Sequence, residues 1–136
     1  MNSLGIGIDL GGTRIKGAAF DLASGEMIHE EMAPARDGER EGDVPAFLSE
    51  VRKLVARFEE VEGRESVVVG VSSPGLANRA ASQIISMPGR LEGLEGLDWP
   101  EALARPVTVL NDAHAALMGE IWQGAATGVQ NVFLLT

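Results

Sequence analysis

The run Asp9-Leu-Gly-Gly-Thr-Arg-Ile-Lys16 places a carboxylate, two glycines, a hydroxyl and an ammonium within eight residues. Adjacent glycines in a turn let backbone N–H groups approach phosphate oxygens with no side chain in the way. Thr13 adds a hydroxyl donor, and Lys16 can offset phosphate charge. Asp9 can hold a magnesium ion, directly or through water, because hard cations prefer oxygen ligands. The plain alternative is a Gly-Gly hairpin whose turn Asp9 caps. A P-loop is a different pattern, since it needs a following helix and a Gly-Lys-Ser/Thr ending.

A second cluster is Asn111-Asp112-Ala-His114. A carboxylate at a helix N-terminus is kept ionised by the helix dipole, and an ionised Asp can take the proton of an attacking hydroxyl. Asn111 offers both a donor and an acceptor to a second hydroxyl. Plain N-capping is the competing account, and His114 is read as a surface residue without a role. The third cluster, Ser72-Ser73-Pro74-Gly75, is either a structural turn or a place where the Gly75 backbone lies flat against a ring. Trp99 and Trp122 stand in helical patterns and are expected in the core rather than as stacking platforms.

These residues need elements to hold them. Leu4–Asp9 reads as a buried strand ending at Gly11-Gly12, Ile15–Asp21 as a second, and Met27–Met32 as a third, an antiparallel meander. Residues 34–43 read as a loop. Asp43 is expected to cap a helix with Pro45 in its first turn, and Phe47, Val51, Leu54, Val55 and Phe58 line one face of it, ending near Gly63. Val67–Val71 is the next strand, followed by a Gly- and Pro-rich stretch over 72–98 with one short strand near Gln83–Ile85. A brief helix at Trp99–Ala104, a strand at Val107–Leu110, a helix from Asn111 or Asp112 to Gln123 and a final strand over 131–136 complete the reading. Later strands alternating with helices imply an α/β mixed sheet, βββαβαβα, with ligands at the carboxyl ends of its strands.

With 136 residues, 45% of them apolar, the chain is long enough for one domain but not for two lobes with a cleft between them. No cysteine is present, which removes disulfides, Cys-based zinc sites and thiol catalysis, and the two histidines are too far apart for a His-rich metal site. A net charge of −9 argues against nucleic acid as partner. Residues 21–65 hold 13 acidic against 6 basic residues, which marks a solvated face. No apolar run suits a membrane span and no basic leader opens the chain, so a cytoplasmic location is expected.

Asp9-x-Gly-Gly-Thr-x-x-Lys16, Pro74-Gly75 and Asn111-Asp112-Ala113, in this order, resemble the ROK family of bacterial sugar kinases, as does Gly-Glu-x-Trp-x-Gly-Ala over 119–125. The resemblance spans the whole chain and implies a ribonuclease-H-like fold of the actin and hexokinase superfamily. It implies ATP as co-substrate, or polyphosphate in a close variant, with Mg²⁺ and a hexose or related sugar. Gly11, Gly12, Thr13 and Lys16 would then bind phosphate and Asp9 would serve the magnesium. Asp112 would be the catalytic base and contact the sugar with Asn111 and Gly75.

The family pattern also has parts this chain does not carry. A second glycine-rich phosphate loop, a Glu-x-Gly-His sugar motif and a Cys-rich zinc site would follow Thr136, and the family's Pro-Asn contact is Pro88-Gly89 here. Residues 1–130 are therefore expected to form an N-terminal lobe and 131–136 to begin a missing C-terminal one. The chain alone is expected to be inactive and to present 131–136 as an edge open to self-association. With eight residues ahead of Asp9, the helix-turn-helix of family repressors is not expected. The rival to a kinase is a non-catalytic module that senses sugar or nucleotide on the same scaffold.

Overall fold

The computed structural model describes residues 3–132. Three antiparallel strands come first: β1 (Leu4–Leu10), β2 (Arg14–Asp21) and β3 (Met27–Pro34). A small ribbon, β4 (Arg40–Glu41) and β5 (Val44–Pro45), leads into α1 (Ala46–Glu62). Then follow β6 (Val68–Ser73), a second ribbon of β7 (Leu76–Ala77) and β8 (Ile84–Ser86), the short α2 (Trp99–Leu103), β9 (Val107–Asn111) and α3 (Asp112–Gln123). β6 and β9 add in parallel beyond β1, so the main sheet reads β3-β2-β1-β6-β9. A meander extended by parallel strands with crossover helices is the ribonuclease-H-like α/β arrangement.

Strand side chains alternate between faces. Leu4, Ile6, Ile8 and Leu10 of β1 point to the face that α1 covers, and the helix buries Phe47, Val51, Leu54, Val55 and Phe58 against it. Each such side chain contributes on the order of 1.5–3 kcal/mol when fully buried. The contact is close enough that a Cβ on Gly17 would stand 2.8 Å from the Phe58 ring. Gly63 ends the helix at φ 67°, a left-handed conformation that suits glycine.

Three expectations change. Asp43 does not cap α1: Pro45 holds that position without a side-chain bond, because residues 40–45 pair with each other as a ribbon and the Ala46 N–H donates to the Glu39 carbonyl at 2.9 Å. The stretch read as a loop over 34–43 therefore includes β4. Trp99 is fully buried beside Phe47, but Trp122 is 47% exposed. The helix α3 buries no side chain: it lies over β9 and β6, and its last residue, Gln123, reaches Gly25 in the β2–β3 turn. Between α3 and the sheet runs an open groove of about 370 Å³ with Gly7, Lys16, Phe20, Gly70 and Ala115 in its walls.

The strand expected over 131–136 falls, from residue 133 on, outside the described residues; residues 131 and 132 are irregular. Among the described residues no helix is long and apolar enough to cross a membrane.

Candidate active site

Register brings the three motifs together. Asp9 stands opposite Ser72 in the β1–β6 pairing, and Ser73 opposite Asn111 in the β6–β9 pairing. Three segments far apart in the chain thus end side by side at the carboxyl ends of β1, β6 and β9, where ligands of such sheets gather. Two strand spacings separate β1 from β9, roughly 10 Å.

The turn after β1 is tight: the Gly11 N–H donates to the Arg14 carbonyl at 3.0 Å. Neither Gly11 nor Gly12 has a positive φ, so neither is required by backbone conformation. Space requires the first of them and narrows the second. A Cβ on Gly11 would lie 2.7 Å from the Arg14 carbonyl oxygen, and one on Gly12 would lie 3.1 Å from a guanidinium nitrogen of Arg90. Asp9 and Lys16 are register partners with exposed side chains on one face, and Thr13 is exposed beside them.

The second half of the site is a junction. Asn111 caps α3: its Oδ1 accepts the Ala113 N–H at 3.0 Å, and its Nδ2 donates to the Gly75 carbonyl at 2.6 Å. Asn111 therefore ties the Pro74-Gly75 turn to the helix, with one N–H left for a ligand. Gly75 sits at φ 95°, and a Cβ there would lie 2.6 Å from the Ser86 carbonyl oxygen, so only glycine fits. Ser73 is buried and donates to the Pro74 carbonyl at 2.9 Å. Asp112 is the first helical residue, exposed, with its Oδ1 accepting the Ala113 N–H at 2.8 Å. That leaves its other oxygen open at the positive end of the helix dipole.

Charges divide in the same way. Arg36 pairs with Glu39, Glu41 and Glu50, and its hydrogen bond, with one from Ser49, brings Glu41 down to about 2. Burial pushes Glu59 up, but hydrogen bonds from Arg105 (2.7 Å) and Ser66 outweigh it and leave the carboxyl below its ordinary value. Arg14, Lys16, Arg79 and Arg90, by contrast, make no side-chain hydrogen bond or ion pair among the described residues. Three of those four are at the glycine turn. Arg90 escapes a sequence reading because it is 78 positions from Gly12, and its only local signal is the Gly89 before it.

The chain is 32% identical to a glucokinase of Streptomyces coelicolor over 142 positions, which cover 98% of this chain and 40% of that protein. An inorganic polyphosphate/ATP-glucomannokinase from Arthrobacter superposes with a TM-score of 0.76 at 29% identity, over 96% of this chain and 52% of the other. A ROK family glucokinase from Streptomyces griseus, solved with glucose and AMPPNP, does so at 0.70 and 26% identity, over 93% and 38%. The chain thus spans about 40% of the length of the curated glucokinase it matches. The ROK family model matches residues 5–136, and the chain belongs to the ROK family.

Proposed function

We propose that this chain is the part of a ROK sugar kinase that carries the phosphate turn and the base, in an enzyme that phosphorylates a hexose or related sugar with ATP. The observation that carries the reading is the bond from Asn111 Nδ2 to the Gly75 carbonyl at 2.6 Å, next to the paired ends of β1 and β6. It joins the two sugar-facing motifs into one rigid unit beside the phosphate turn. Gly11, Gly12, Thr13 and Lys16 receive the phosphates, and Gly75 and Asn111 orient the sugar with Asp112.

Asp112 accepts the hydroxyl proton as the sugar oxygen bonds to the terminal phosphorus. The bond from that phosphorus to its bridging oxygen breaks, and ADP leaves with the electron pair. Asp9 is the residue to hold Mg²⁺. A single exposed carboxylate suits this ion, which takes one or two carboxylates and fills its other positions with water and phosphate oxygens. Bound with the donor, it supplies neutralisation of phosphate charge. Polyphosphate as donor is a variant of the same chemistry, since the turn recognises phosphate rather than adenine.

The proposal includes a boundary: residues 1–130 form one lobe of a cytoplasmic enzyme, and 131–136 begin another. Catalysis needs positioning and charge on both sides of the transferred group, so the chain by itself should fold without turning over. A coupled assay with MgATP, polyphosphate and a panel of hexoses tests this. Sugar-dependent phosphoryl transfer is expected from the whole-length protein, and its absence with every sugar and both donors would overturn the kinase reading. Turnover by the 136-residue chain at roughly 1–100 s⁻¹ would overturn the boundary alone.

A further inference from the structure

We propose that Arg90 is a phosphate-binding residue, a guanidinium held over the Gly11–Thr13 turn to grip the oligophosphate chain of the donor. The inference rests on the kinase reading and extends it to a residue outside the three motifs.

Contact comes first. The Arg90 side chain lies against Gly12 closely enough that a Cβ there would meet its Nη1 at 3.1 Å and its Cδ at 3.2 Å. The glycine thus leaves room for a cation as well as for a phosphate. Charge is the second point. The carboxylates of this acidic chain occupy Arg36, Lys53, Arg57 and Arg105, while Arg90, Arg14 and Lys16 keep their charges unspent among the described residues. A guanidinium without a carboxylate retains all five donors for phosphate oxygens, which it can bind two at a time.

Presentation is the third. The loop that carries Arg90 is anchored directly after it: Leu91 and Leu94 are buried, and the Glu92 N–H donates to Asp37 at 3.2 Å. Gly93 packs so closely on Pro45 that a Cβ would come within 2.5 Å. Leu91 itself adopts φ 56°, an unfavourable conformation for a side-chain-bearing residue, which persists only where the surroundings impose it. The anchored backbone aims an otherwise exposed side chain at the turn.

The recognised chemistry is a linear phosphate chain, shared by a nucleoside triphosphate and inorganic polyphosphate. Calorimetric titration of the 136-residue chain with tripolyphosphate and, separately, with AMPPNP tests it, using the parent, Arg90→Gln, Arg90→Lys and the control Arg79→Gln. Arg90→Gln should weaken both ligands by about tenfold, Arg90→Lys should restore part of the loss, and Arg79→Gln should change neither. Should the Gln variant lose its parental Tm, the Lys variant still reports: equal affinity to the parent for both ligands would overturn the inference. Loss confined to AMPPNP would also overturn it, because the contact would then be to the nucleoside. If the parent binds both ligands and Arg90→Gln binds them equally well, the inference fails and the kinase reading stands. A parent that binds neither at millimolar concentration would overturn the inference, while the kinase reading is decided by the whole-length assay.

Discussion

The turn after β1 and the junction between Gly75 and Asn111 lie side by side at one end of the sheet, yet they are built in opposite ways. At the junction nearly every polar group is used internally: the Asn111 amide spans the helix N-terminus and the Gly75 carbonyl, and the Ser73 hydroxyl is closed on Pro74. Gly75 is locked there by a φ of 95° and by the Ser86 carbonyl. In the turn, Asp9, Thr13 and Lys16 have exposed side chains, and the glycines serve space rather than conformation. One region is preorganised by its own hydrogen bonds, while the other leaves its polar side chains exposed. A kinase needs both kinds, a rigid frame for the sugar and unspent donors for phosphate.

Substitutions can separate the two. The largest effect is expected at Asp112, the member of the junction with a free carboxylate oxygen. On the proposed function, Asp112→Asn should lower kcat of the whole-length protein by about 10²–10⁴-fold, since the amide keeps the shape but cannot take the proton. Sugar affinity should stay near the parental value. Undiminished phosphorylation would move the base elsewhere.

Next comes Gly75→Ala, which should destabilise the chain by about 2–4 kcal/mol through backbone strain and a clash with a carbonyl that cannot swing away. Urea unfolding would measure it. Asn111→Ala should cost about 1–2 kcal/mol, as it removes a helix cap and leaves the Gly75 carbonyl unpaired. If both variants kept the parental midpoint, the junction would be no more rigid than the turn and the contrast would collapse.

Gly12→Val should do the reverse of Gly75→Ala. Its backbone conformation admits a side chain, so stability should fall by less than about 1 kcal/mol. Donor affinity should fall by about tenfold while sugar affinity is kept, because the branched Cβ occupies the phosphate's approach and pushes on Arg90. Equal loss of sugar and donor, with a lower Tm, would make the turn a structural hairpin.

The smallest effect sharpens the difference between spent and unspent cations. Glu59 has its pKa lowered in the folded state by Arg105 and Ser66, so its stabilising contribution is present above its unfolded value of 4.5 and is lost as pH falls through the folded value. Glu59→Gln should therefore lower Tm at pH 7, by an amount that shrinks as the pH is taken progressively below 4.5. Arg90→Gln, with no carboxylate to lose, should leave Tm unchanged at both. An acid-insensitive Tm difference for Glu59→Gln would mean that packing rather than charge sets its contribution.

Much of this was legible locally. The spacing of Phe47, Val51, Leu54, Val55 and Phe58 announces α1, because a 3.6-residue period is a property of the segment itself. The Gly-Gly break after Asp9 and the cap before Asp112 likewise mark strand and helix ends from within a few residues. Where a local rule failed, a longer-range partner had won. Asp43 is a good capping residue, but ribbon pairing over 40–45 displaced it. Trp122 sits in a helical pattern, yet an open groove separates α3 from much of the sheet, and the indole is left out.

The sequence by itself determined which residues end the strands, where the glycine turn falls and where a carboxylate meets a helix N-terminus, since each depends on neighbours within one turn or one strand. Tertiary structure alone decided that these ends meet. The parallel pairing of β1 with β6 and of β6 with β9 joins segments more than thirty residues apart, and its register is set by burying one whole face of the sheet under α1. The same packing chose Asn111 as the tie to Gly75 and laid Arg90 over Gly12. No local pattern encodes those contacts, because each follows from where two separately anchored loops come to rest on a common core.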